Sequence, residues 1–188
     1  MEASVVENEA VAGDVYEVRV ISGLSPEDVE GLLNMAETSG LFNPDQMTEI
    51  EDMSWGCAYQ GESVACSFLQ ALVSTPQGEK PIGFLCFTEI PEWPQNYELF
   101  GIAVTPEYQR LGIGTALMTG MKNIVAGQDG KRIFLETGQN HKCEEIRRFY
   151  EANNYSMEHR FFKQFIPKDE NVVYCHTIEF DEEDANFQ

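Results

Sequence analysis

Residues 98–117, Glu98-Leu-Phe-Gly-Ile-Ala-Val-Thr-Pro-Glu-Tyr-Gln-Arg-Leu-Gly-Ile-Gly-Thr-Ala-Leu117, constrain the fold more than any other stretch. An apolar run ending at Val104 reads as a buried strand, the run from Gly112 reads as a helix, and seven residues (105–111) separate them. A loop of this kind brings amides that lack helical acceptors to the positive end of a helix dipole. That is a ready site for a phosphate or pyrophosphate. Glycine lets the backbone approach such a ligand because no Cβ intervenes.

Three phosphate-binding patterns compete for this segment. A P-loop needs Gly-x4-Gly-Lys-Ser/Thr, which the chain lacks. A dinucleotide fingerprint needs Gly-x-Gly-x-x-Gly directly after the strand and an acidic residue some way on. Glu136 stands at a suitable distance, but Leu117 occupies the third glycine position and the gap after the strand is too long. The third pattern, Gln/Arg-x-x-Gly-x-Gly/Ala, is matched by Gln109-Arg-Leu-Gly112-Ile-Gly114.

In its context this loop resembles the acetyl-CoA-binding motif of the GNAT superfamily of acyl-CoA-dependent N-acyltransferases. Downstream, Arg132-Ile-Phe-Leu-Glu-Thr137 resembles the family's next strand, and Glu145-Ile-Arg-Arg-Phe-Tyr150-Glu-Ala-Asn-Asn-Tyr155 its tyrosine-bearing helix. The resemblance is sharp over residues 97–155 and looser over 15–180. Three motifs in order at family spacing are far more specific than any one of them.

The rest of the chain fits one domain. At 188 residues with 43% hydrophobic composition, it is long enough for a single well-buried core. Residues 15–21 alternate as a strand. Ser25-Pro26-Glu27-Asp28 predicts an N-cap and an acidic first turn, Val29, Leu32, Leu33 and Ala36 make an amphipathic face, and Gly40 stops the helix. Asn43-Pro44-Asp45 starts a second helix running toward Tyr59. Residues 65–73 and 82–90 read as a hairpin with a longer loop over 74–81. Strand 97–104, a helix from Gly112 to about Ala126, strand 132–137, a helix near 144–153, and a closing pair over 155–165 and 172–180 follow. The expected fold is α/β, a mixed central sheet of about seven strands with helices on both faces. Residues 15–180 form the GNAT-like domain, between a flexible acidic tail (1–14) and a second acidic tail (181–188).

Acetyl transfer to an amine needs three things: a grip on the cofactor, a base for the attacking ammonium, and an acid for the departing thiolate. The resemblance assigns cofactor binding to the backbone of Ile102, Ala103 and Val104 and to Gln109, Arg110, Leu111, Gly112, Ile113, Gly114 and Thr115. Its implied geometry has strands 97–104 and 132–137 splaying to admit the pantetheine arm. Tyr150 aligns with the tyrosine that faces the CoA sulfur, and Glu98 or Glu136 with the carboxylates used as base. Phe42 and Asp45 fall where acceptors bind. Two departures stand out. Cys143 stands where the family has an Asn seven residues before the tyrosine, in a loop about two residues longer, which leaves Asn140 and Cys143 as alternatives for that Asn. Asn154 replaces a glycine and is the next best left-handed cap. A small thiol filling a loop suits Cys143 better than an acyl-carrying nucleophile.

The implied function is an acetyl-CoA-dependent N-acetyltransferase acting on a primary amine of a small molecule or peptide. The alternative is a non-catalytic acyl-CoA-binding or regulatory module of the same fold. A net charge of −20 argues against nucleic acid and favours a cationic acceptor, with Arg110, Lys142 or Arg147 offsetting it where the cofactor binds. Cys57, Cys66, Cys86, Cys143 and Cys175 are odd in number and widely spaced. They read as reduced thiols, with no metal spacing to His141, His159 or His176. No secretory signal or membrane-length apolar run is visible, so a cytoplasmic protein without membrane partners is expected, and a homodimer is compatible.

Overall fold

The computed structural model describes residues 4–9, 15–60, 66–138, 143–158 and 171–179. In chain order the elements are β1 (Ser4–Glu9), β2 (Val15–Ser22), α1 (Pro26–Ser39), α2 (Pro44–Gln60), β3 (Cys66–Thr75), β4 (Gly78–Glu89) and β5 (Asn96–Val104). A 3-10 turn (Pro106–Tyr108) leads to α3 (Ile113–Gly127), β6 (Arg132–Gly138), α4 (Glu144–Ala152), β7 (Ser156–Glu158) and β8 (Asn171–Thr177). The strands hydrogen-bond in the order β1-β2-β3-β4-β5-β6-β8-β7. β5 and β6 run parallel, whereas β6–β8 and β7–β8 are antiparallel, so the sheet is mixed as expected.

The eighth strand, β1, falls within the residues 1–14 expected as an N-terminal tail. β1 pairs antiparallel with β2 from Ser4↔Val20 to Glu9↔Val15. The acidic composition hid two adjacent β-branched residues, Val5 and Val6, and the open edge of β2 supplies a hydrogen-bonding partner. The hairpin loop is also shorter than expected. β3 and β4 continue to Thr75↔Gly78, leaving only Pro76 and Gln77 between them. A bulge underlies the difference: Ala71 faces Gly83 while Leu72 faces Pro81, so Ile82 is the extra residue. Pro81 cannot donate to a ladder, and a bulge is where a strand tolerates that. The closing pair is described over β7 and β8; residues 159–165, residue 180 and the tail 181–188 lie outside the described residues.

Two compact units make up the chain, Met1–Thr88 with Leu99–Met121 and Glu89–Glu98 with Lys122–Gln188. In the first, α1 and α2 cover one face of the sheet. Leu32, Met35, Ala36, Ile50 and Cys57 pack there with Cys66, Phe68, Phe84, Cys86 and Ala103. The opposite face receives α3, where Gly120 lies so close to Leu69 and Val20 that a Cβ would sit 3.2 and 3.4 Å from their side chains. In the second unit, Ile90, Phe134, Val173 and Cys175 form a smaller core, with Trp93 stacked on Phe134 at 5.2 Å. Gly130 turns the chain into β6; a Cβ there would meet Tyr97 at 2.7 Å and the Val125 carbonyl at 2.8 Å. All five cysteines are free, and only Cys143 is not buried.

Helix ends follow the sequence closely. The Asp28 carboxylate accepts from the Ser25 backbone N–H (3.1 Å) and hydroxyl (2.7 Å). Asn43 and Gln46 cap α2 reciprocally, at 2.9 and 3.0 Å. Gly40 closes α1 in the left-handed conformation, and Asn154 takes the same conformation after α4 at φ 64°.

Candidate active site

The glycine loop belongs to the first unit and is fastened at its strand end. Thr105 donates to the Ile82 carbonyl through both its backbone N–H (2.9 Å) and its hydroxyl (3.0 Å), and the Gln109 amide donates to the Val104 carbonyl at 3.0 Å. The bulge at Ile82 therefore gives the loop its anchor. Arg110 and Gly112 both take positive φ, 65° and 79°. For Arg110 this is a strained backbone that a surrounding structure must hold. α3 begins with the Ala116 N–H donating to the Gly112 carbonyl at 2.9 Å. The amides of Ile113, Gly114 and Thr115 thus fill the first turn, which has no acceptor a turn earlier in the helix. Gln109, Arg110, Gly112 and Thr115 are exposed, while Ile113 is buried and holds the helix start in place. On β5, Ile102 and Val104 are partly exposed and Ala103 is buried.

Phe42 and Asp45 lie on the turn into α2, also in the first unit. Phe42 packs on Phe84 (6.2 Å between centroids) and over Gly101, where a Cβ would lie 3.1 Å from its ring. Asp45 is exposed in the first helical turn. Beside them, a groove of about 470 Å³ between α1 and α2 is lined by Leu33 and Met47 and by three glutamates, Glu30, Glu37 and Glu51.

The three proton-handling candidates lie in the second unit. The parallel register sets Glu98 beside Phe134, and Glu136 is two residues further along β6. Period two therefore puts both carboxylates on one face of the strand pair. Both are partly exposed, and Glu136 accepts from the Asn171 side chain at 3.0 Å. Leu135 and its antiparallel partner Tyr174 point to the other face. Tyr150 packs against that face, 6.4 Å from Tyr174, 5.4 Å from Phe149 and 6.2 Å from Tyr155. It is 7% exposed, and burial, with the Cys143 thiol nearby, pushes its phenol well above the usual value.

Around α4 the structure adds groups that motif reading passed over. Lys122 Nζ donates to the Asn153 carbonyl at 2.5 Å and stands 5.3 Å over the Tyr155 ring. Burial lowers the pKa of this lysine. His176 Nδ1 lies 2.9 Å from the Asn154 carbonyl, and burial lowers its pKa too. Arg147, expected to offset acidic charge, donates to the Gly138 carbonyl at 2.7 Å. Asn140, Lys142, His141 and His159 lie outside the described residues. Among those described, no cluster of three or more His, Cys, Asp or Glu could hold a metal ion. No described helix is long and apolar enough to cross a membrane.

A parallel strand pair, a glycine loop opening a helix and a tyrosine-bearing helix define an α/β protein of the acyltransferase type in fold. The family model for the acetyltransferase (GNAT) family matches residues 35–155, well over half of the chain. The chain belongs to that family. Solved structures of similar fold include a protein described as a GNAT-family acetyltransferase from Desulfovibrio desulfuricans. It is 24% identical at a TM-score of 0.74, with 86% of this chain and 99% of that one covered. The PaiA N-acetyltransferase from Thermoplasma acidophilum, in complex with coenzyme A, is 17% identical at 0.65, covering 85% and 98%. The ribosomal-protein-S18-alanine N-acetyltransferase from Escherichia coli is 18% identical at 0.64, covering 90% and 99%. Comparison with curated proteins gives no significant match.

Proposed function

We propose that this protein is an acetyl-CoA-dependent N-acetyltransferase that passes the acetyl group directly to a primary amine of a small molecule or peptide. The observation that carries this reading is the disposition of ionisable groups about β5, β6 and β8. Two carboxylates occupy one face and a buried phenol the other. Direct transfer needs both kinds of group, one to take a proton from the attacking ammonium and one to give a proton to the leaving sulfur.

Glu98 or Glu136, directly or through a water, takes the proton of the attacking ammonium. The amine nitrogen then bonds to the thioester carbon, the carbon–sulfur bond breaks, the Tyr150 phenol gives its proton to the thiolate, and the second proton that the nitrogen sheds as the neutral amide forms returns to the phenolate through solvent. The first-turn amides of α3 and the Arg110 guanidinium receive the cofactor's phosphates, and the backbone of residues 102–104 the pantetheine. The coenzyme A held by the PaiA enzyme supports the choice of donor. Phe42 and Asp45 border the acceptor, and the protein works in the cytoplasm.

A thiol-release screen with acetyl-CoA against polyamines, amino acids, aminoglycosides and peptide amines tests the reading. Release that depends on an amine supports it. Acetyl-CoA binding without release for any amine class would leave the non-catalytic module as the better account.

A further inference from the structure

Tyr155 follows the left-handed turn at Asn154 and is 3% exposed. Its ring is held on three sides, by Lys122 Nζ at 5.3 Å, the His176 ring at 5.2 Å and the Tyr150 ring at 6.2 Å. The polar ends of the first two are engaged elsewhere, on the carbonyls of Asn153 and Asn154. Among the described residues, the Tyr155 hydroxyl is the buried side-chain oxygen that has no hydrogen-bond partner. Phenylalanine would fill the same space without stranding an oxygen, and buried hydroxyls are ordinarily satisfied. A charge on Tyr150 opposes ionisation of Tyr155, so the two phenols lie within electrostatic reach. Each phenol offers a donor and an acceptor, and buried waters typically bridge such otherwise unsatisfied groups.

We propose that Tyr155 is a positioning residue for Tyr150: the two hydroxyls share a buried water that aims the Tyr150 O–H at the leaving sulfur. The inference rests on the reading of Tyr150 as the acid. Tyr155 touches no reacting atom in it and acts only through its neighbour.

The test measures kcat, the KM for acetyl-CoA and the melting temperature for Tyr155→Phe, Tyr150→Phe and the double variant. Tyr155→Phe is expected to lower kcat roughly tenfold, with KM unchanged and no gain in melting temperature. The double variant should be no slower than Tyr150→Phe alone, because the second change acts through the first. A stranded oxygen with no role predicts the reverse: wild-type kcat and a melting temperature raised by roughly 2–4 °C or more. That result, or losses that simply multiply in the double variant, would overturn the proposal. Wild-type kcat in Tyr150→Phe would overturn the acid reading and this proposal together. A loss in Tyr150→Phe but not in Tyr155→Phe would overturn this proposal alone.

Discussion

Tyr150, packed against Tyr174, Phe149 and Tyr155, is the phenol proposed to protonate the departing thiolate. Tyr150→Phe should therefore lower kcat by roughly 10²–10⁴-fold while leaving acetyl-CoA affinity largely intact. Steady-state kinetics beside calorimetric binding would check it, and a wild-type kcat would make Tyr150 a packing residue. Gly112 carries the second residue-level claim. Its φ of 79° suits glycine, and its place before α3 puts it where the phosphates are proposed to lie. Gly112→Val should abolish the rise in melting temperature that acetyl-CoA gives by mass action. An undiminished rise in a folded variant would move the cofactor elsewhere. Both positions are singled out by the sequence because each sits inside a motif with fixed spacing. The Glu136–Asn171 bond and the Lys122–Tyr155 contact are not, since they join residues far apart in sequence that carry no pattern of their own.

At the scale of elements, caps and periodicity were the readable signals and strand extent the unreadable one. Ser25, Pro26, Asn43 and Gly40 marked helix ends because their side chains or backbone meet a local demand. The reach of β3 and β4 and the existence of β1 depend on partners across the sheet, which local composition does not encode. The Asp28 cap gives a pH prediction. Burial pushes its carboxyl up, but hydrogen bonds from Ser25 and Gln70 outweigh that and leave it below its usual value. A lowered folded pKa means the stabilisation is present above the unfolded value and is lost as pH falls through the folded one. The cap should thus fail below about pH 4. Asp28→Ala should cost about 1 kcal/mol at neutral pH, and the cost should shrink in acid, as chemical denaturation at both pH values would report. Gly130→Ala should be far more damaging, roughly 2–4 kcal/mol, because its Cβ meets backbone at Val125 as well as the Tyr97 ring. A melting temperature close to wild type would mean that this turn yields more easily than its contacts imply.

For the whole molecule, charge is distributed as unevenly as it is large. Between Arg19 and Lys80 there is no Lys, Arg or His, and α1 and α2 carry only acidic charges. The groove between those helices presents three of them. A negative field there should favour ammonium acceptors and weaken with salt. Matched cationic and anionic amines should differ in kcat/KM at low ionic strength, and the difference should narrow at high ionic strength. A preference for the anionic amine, or one indifferent to salt, would reduce the charge to a matter of solubility. Transfer of acetyl from acetyl-CoA to an amine nitrogen is open to direct measurement with isotope-labelled acetyl-CoA. With a cationic primary amine, the label should appear on the amine nitrogen in step with free thiol. Thiol released with the label in acetate, or labelled acetyl-CoA bound and recovered unchanged, would contradict it.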